Sequence, residues 1–123
     1  MLMRKNSVNV NLLELTPVAK YSHQVNSDGL IDVLVPRFKG SIMQKFVPKS
    51  KSKFIRANLD VIGTEVWRLI DGKRKVSDIA IAIDEKLGEK VQPVYDRLNV
   101  FLTQLHNNGF IYFLELNKEK KNG

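Results

Sequence analysis

The sequence predicts an α+β domain in which short strands come first and three packed helices follow. Two observations carry this. From Leu59 onward the apolar residues recur at helical spacing in three separate runs, each closed by a glycine: Gly72, Gly88 and Gly109. Before Leu59 the apolar residues instead alternate, as they do along half-buried strands.

Taken in order, residues 1–11 are polar and rich in asparagine and are expected to be a flexible N-terminus, with a single domain over 12–116. Residues 19–25 read as a strand, Asn26-Ser27-Asp28-Gly29 as a turn, and 30–35 as the returning strand of a hairpin. Ile31, Val33 and Val35 lie on one face of that returning strand, and Pro36 ends it. Residues 37–52 have little periodicity and read as a long basic loop whose middle Ile42, Met43, Phe46 and Val47 pin against the domain. Residues 53–58 form a third strand leading into the first helix, with Asn58 as its N-cap.

The first helix buries Leu59, Ile62, Val66, Leu69 and Ile70, and Trp67 joins that apolar face. The second buries Val76, Ile79, Ala80, Ile83 and Leu87, and the third Val94, Leu98, Phe101, Leu102 and Leu105, with Pro93 suited to its first turn. Gly63 sits inside the first helix, where it costs about 1 kcal/mol relative to alanine, so close packing of another backbone is expected there. The run 110–116 covers the core or adds a strand, and 117–123 is a charged tail expected to be flexible.

The chain has 123 residues, 43% of them hydrophobic, enough for one continuous core. It has no cysteine, which removes disulfides, thiolate metal sites and thiol nucleophiles. Its start lacks the apolar core of a secretory signal and no apolar run is long enough to span a bilayer, so a cytoplasmic location with no membrane partner is expected. The net charge of +7 is unevenly spread: Arg37, Lys39, Lys45, Lys49, Lys51, Lys53 and Arg56 fall in a stretch without a single acid, and the remainder is balanced. That pattern favours an acidic partner bound at one place.

No Ser/His/Asp set and no glycine-rich phosphate cradle can be assembled, and His23 and His106 stand apart from any metal-ligand pattern. The chain is therefore expected not to be an enzyme and to carry no cofactor. A tri-helical basic domain is also a common DNA reader, which makes nucleic-acid binding one alternative and a generic protein-interaction adaptor another. Against DNA, the third helix carries only Arg97 beside Asp96, and the second is net acidic through Asp78, Asp84 and Glu85.

The strings LDVIGTEVWRLIDGK at 59–73, VSDIA at 76–80, LG at 87–88 and, in the third helix, LNVFLTQLHNNGFI at 98–111 resemble the PqqD family, the recognition element of ribosomally made peptide pathways. The hairpin ending Leu34-Val35-Pro36-Arg37 fits the strand pair that precedes those helices. The resemblance implies a winged-helix-like fold, three N-terminal β-strands followed by a three-helix bundle. It also implies a protein that binds the leader of a precursor peptide and presents it to a modifying enzyme, commonly a radical S-adenosylmethionine enzyme. In that family the peptide adds a strand beside the third strand and rests against the third helix. Carried over by position, the groove is bordered by Lys53, Phe54, Ile55, Arg56 and Ala57 on the strand and by Tyr95, Leu98, Asn99 and Leu102 on the helix. The 37–52 loop is longer and more basic than in the minimal family member, and the resemblance leaves the modified product open.

Such a strand is physically apt for the role. An edge strand has unpaired N–H and C=O groups that another extended chain can satisfy, and its side chains alternate, Phe54 and Arg56 one way, Lys53, Ile55 and Ala57 the other. Lys53 and Arg56 would attract an acidic leader.

Overall fold

The computed structural model describes residues 11–37 and 53–117. Five strands, β1 (Pro17–Ala19), β2 (His23–Val25), β3 (Ile31–Pro36), β4 (Phe54–Asn58) and β5 (Ile111–Phe113), are combined with three helices, α1 (Val61–Leu69), α2 (Val76–Leu87) and α3 (Val94–Asn107). The strands form an antiparallel sheet in the order β2-β3-β4 and an antiparallel pair β1-β5. The α+β class, the three-stranded sheet and the three helices after it are as the sequence predicts. The N-terminal residues 1–10, the tail 118–123 and most of the basic loop, 38–52 with its pinning residues, lie outside the described residues.

The stretch 19–25, expected to be one strand, is divided between two sheets. Pro17–Ala19 pairs with β5, and His23–Val25 pairs with β3. The break is fixed by partners remote in sequence: the Lys20 N–H donates to the Phe110 carbonyl at 2.8 Å, and the Tyr21 ring meets Phe110 edge-on at 5.9 Å. Two residues later the Ser22 carbonyl accepts from the Leu34 N–H at 2.9 Å. The run after Gly109 thus adds a strand, and its chain turns helical from Leu114.

The core lies between the inner face of the three-stranded sheet and the helices. Ile31 and Val33 supply the sheet side and are fully buried, beside Val66, Trp67, Val76, Ile79, Ile83, Leu98, Leu102 and Ile111. The glycines that close the helices, Gly72, Gly88 and Gly109, all take positive φ, which other residues reach only with strain.

The start of α1 differs from the expected one. Its N-cap is Asp60, whose Oδ1 accepts from the Gly63 N–H at 2.7 Å, while the Asn58 amide donates to Asp32 at 2.6 Å. Asn58 is still paired with β3, so its side chain projects from the sheet rather than over the helix. Leu59 donates the last sheet hydrogen bond, to the Ile31 carbonyl at 2.9 Å, and the chain then leaves the ladder. This would orphan the Ile31 N–H, but the buried Thr64 hydroxyl on α1 accepts from it at 3.0 Å. One side chain thereby joins β3 to α1.

Two carboxylates tie the periphery together. Asp32, on the outer face of β3, accepts from Asn58, from Asn26 in the β2–β3 turn at 3.0 Å and from Arg56 at 3.4 Å. The hydrogen bonds from Asn58 and Asn26 hold its carboxyl below the ordinary aspartate value despite its burial. Glu115 accepts from the Thr16 N–H and hydroxyl at 2.7 and 2.8 Å. Burial pushes the Glu115 carboxyl up, and the Thr16 bonds more than offset it, so it too lies below its usual value.

Among the described residues, no helix is long and apolar enough to cross a membrane. Replacing Thr64 by valine keeps the shape but leaves the Ile31 N–H unsatisfied, and urea unfolding is expected to show a loss of about 1–3 kcal/mol that Thr64→Ser does not share. Because the Asp32 and Glu115 carboxyls are depressed in the folded protein, their contribution is complete above the unfolded-state value and is lost as pH falls through the folded one. Melting temperature should therefore be level near neutrality and drop below about pH 4, with a shallower drop in Asp32→Asn.

Candidate functional site

The hydrogen-bond register determines which backbone groups of β4 are turned outward. In an antiparallel ladder every second residue exchanges both its bonds with the neighbouring strand, and the residues between point the other way. The Arg37 N–H donates to the Lys53 carbonyl at 2.8 Å, and Leu59 donates to Ile31. Val35↔Ile55 and Val33↔Ala57 are therefore the bonded pairs in the same series. The N–H and C=O of Arg56 and Asn58 consequently point away from β3, and among the described residues β4 pairs with β3 alone. Among the described residues no strand lies on that outer side of β4.

Side chains follow the same alternation. Ile55 and Ala57 stand opposite Val35 and Val33, on the face toward the helices, and Ile55 is 48% exposed. Phe54 and Arg56 stand on the outer face, and Lys53 is exposed just before the strand. Arg56 is not a bare cation, because its guanidinium lies 3.4 Å from the Asp32 carboxylate.

Two residues beyond β4 an open groove of about 380 Å³ begins. One wall is the first turn of α1, with Asp60, Ile62 and Gly63, and the other is α3, with Pro93, Asp96, Arg97, Val100, Phe101 and Gln104. Arg97, Val100, Phe101 and Gln104 follow i, i+3, i+4, i+7 spacing and so form one stripe. Val100 is 57% exposed on it. The groove is mainly apolar, with Asp60, Asp96 and Arg97 supplying charges of both signs.

The structure divides the four helix positions expected to border the groove. Leu98 and Leu102 are 3% and 0% exposed and belong to the core. Tyr95 and Asn99 lie on the opposite flank of α3, where with Leu12, Leu13 and Asp96 they line a separate notch of about 260 Å³. Of the strand positions, Phe54, Ile55, Arg56 and Ala57 lie on β4 and Lys53 just before it.

The remaining singled-out residues are structural. Trp67 is buried and its Nε1–H donates to His23 Nδ1 at 3.2 Å, and His106 stacks obliquely on Phe113 at 5.1 Å. Gly63 does lie in a close contact, but with side chains rather than a backbone: a Cβ there would stand 3.1 Å from Oδ1 of Asp60 and 3.2 Å from Cζ of Phe101. Among the described residues, no group of three or more His, Cys, Asp or Glu could hold a metal ion.

Residues 54–111 match the family model described as coenzyme PQQ synthesis protein D, PqqD. Residues 54–111 form a PqqD-like domain. The match begins at the first residue of β4 and ends at the first residue of β5, so the open edge, the groove and all three helices lie inside it. PqqD-family proteins are non-catalytic accessory proteins of peptide-modification pathways, working with a peptide and a modifying enzyme. No curated protein and no solved structure matches the chain.

The groove stripe of this PqqD-like domain was not identified from the sequence, yet a signal existed. Val100 and Phe101 are adjacent apolar residues on a helix whose core stripe is already complete with Val94, Leu98, Leu102 and Leu105. A second apolar direction on such a helix needs a second surface to face. Amide exchange followed by NMR should resolve the register of β4: Ile55 and Ala57 protected by β3, Arg56 and Asn58 exchanging much faster.

Proposed function

We propose that this domain binds the leader of a precursor peptide as an added strand on β4 and presents it to a modifying enzyme, of the radical S-adenosylmethionine type. The observation that carries this reading is the outward-facing backbone of Arg56 and Asn58, next to an apolar groove and within the family match. Backbone pairing gives an extended peptide its affinity, and alternate side chains find the pockets that select it.

The peptide contacts are the strand residues Lys53, Phe54, Ile55, Arg56 and Ala57. On the helix the contacts are Arg97, Val100, Phe101 and Gln104 rather than Tyr95 and Asn99, because the former share the groove with the β4–α1 junction. Leu98 and Leu102 support this wall from behind.

An acidic leader suits Lys53 and the lysines that precede it. Since Asp32 already offsets Arg56, the attraction acts mostly on encounter and falls with salt. The protein then contributes no chemistry of its own, holding one peptide segment extended while the enzyme acts elsewhere along it.

The test uses a candidate acidic leader peptide, synthesised in two sets, each N-methylated at alternate residues across the leader. Strand addition predicts that one set loses binding by calorimetry and the other keeps it, and that the unmodified peptide slows exchange at Arg56 and Asn58. Equal binding of both sets would sink the proposal, as would tight binding of duplex DNA at modest salt with no peptide bound.

A further inference from the structure

The ring of Phe101 stands between two spaces. On one side is the open groove, and on the other a void of about 20 Å³ among the core aliphatics Val66, Ile83, Val91 and Leu98. Both spaces are lined by Phe101, Ile62 and Arg97. The void has room for about one water, but its walls offer almost no polar partner, so it favours neither a water nor a side chain while the ring stays in place. Phe101 is partly exposed, unlike the fully buried Leu102 beside it.

The position of the ring is set from the opposite helix. Gly63 lies against its far end, and a Cβ at that point would meet Cζ at 3.2 Å, closer than packed carbons normally approach. The absence of a side chain at Gly63 is what lets the ring lie over the void and form the floor of the groove. Together with the Asp60 cap, whose Oδ1 a Cβ would also crowd at 3.1 Å, this accounts for a glycine in the first turn of α1.

We propose that Phe101, seated against Gly63, sets the size of the apolar side chain that a bound peptide strand can place between α1 and α3. The inference rests on the strand-addition reading above and adds a selectivity to it. With the ring in place the groove is closed off from the void, and a side chain of leucine size is expected to be favoured. With the ring shortened, the void joins the groove and a bulkier aromatic group gains a floor. The groove lining is mainly apolar, and Asp60, Asp96 and Arg97 supply charges of both signs, so the seated group is apolar and uncharged.

The experiment titrates the isotope-labelled full chain with N-acetyl-leucinamide, N-acetyl-phenylalaninamide and N-acetyl-tryptophanamide, using the wild type, Phe101→Leu and Gly63→Ala. In the wild type the shifts should centre on Gly63, Val100 and Gln104, and leucinamide should be favoured. Phe101→Leu should move the preference toward tryptophanamide by roughly tenfold, and Gly63→Ala, which displaces the ring into the groove, should weaken all three. Should Phe101→Leu fail to fold, Phe101→Met carries the same test. An unchanged order of the three probes, or shifts centred away from the groove, overturns the inference.

The two proposals can fail separately. If peptides with different anchor sizes protect Arg56 and Asn58 equally in the wild type and in Phe101→Leu, strand addition stands and the size gauge falls. If the probes reorder as expected while no peptide protects those amides, the gauge stands and strand addition falls.

Discussion

The carboxylate of Asp32 is the constraint on which the placement of the open edge depends. It is almost fully buried on the face of the sheet away from the helices, and a buried charge is tolerated only when its lone pairs are satisfied. Asn26, Asn58 and Arg56 satisfy them, and these residues come from the turn before β3 and from two positions on β4. The two bonds from β4 therefore anchor that strand laterally to β3. β4 has only five residues, and the chain after it turns at once into α1, so a strand this short gains much of its definition from such side-chain ties. The pairing also reduces the effective charge of Arg56 at the place where a partner would be recognised.

A second constraint acts through α3. A helix packed in a core can offer only the faces the core does not use, and here Val94, Leu98, Leu102 and Leu105 are used. Two flanks remain. One, with Arg97, Val100, Phe101 and Gln104, meets the start of α1, and the other, with Tyr95 and Asn99, meets the N-terminal turn at Leu12 and Leu13. Which flank borders β4 follows from the route of the chain: β4 leads through Leu59 and Asp60 directly into the first turn of α1, and the ladder ends where Thr64 takes over the Ile31 N–H.

Much of this architecture was legible in the sequence, for identifiable reasons. Helical spacing and the closing glycines at 72, 88 and 109 depend on local geometry, and local geometry is written in neighbouring residues. The alternation at Ile31 and Val33 likewise marked the buried face of β3. The division of 19–25 between two sheets was not legible, because Ala19 pairs with Ile111, more than ninety residues away, and nothing within 19–25 records that partner. The helix N-cap was displaced by two residues because Asn58 and Asp60 are both good caps, and only the sheet, by drawing Asn58 toward Asp32, leaves the role to Asp60. On the site, the helix wall was assigned by strength of apolar character, which is also what draws Leu98 and Leu102 into the core.

An open edge in a small domain needs protection against pairing with the wrong chain, and β4 has two of the usual safeguards, shortness and charge at Lys53 and Arg56. These same features limit what backbone pairing can contribute to binding. A strand that adds only the outward groups of Arg56 and Asn58 gains a few hydrogen bonds, each worth about 0.5–1.5 kcal/mol net, and loses conformational entropy in becoming extended. Seating one apolar side chain contributes about 1.5–3 kcal/mol more, comparable with all the backbone bonds together. On the proposed reading, the edge therefore fixes direction and register while the groove between α1 and α3 decides which peptide is held. On that reading the sum stays modest, as reversible delivery of a peptide requires.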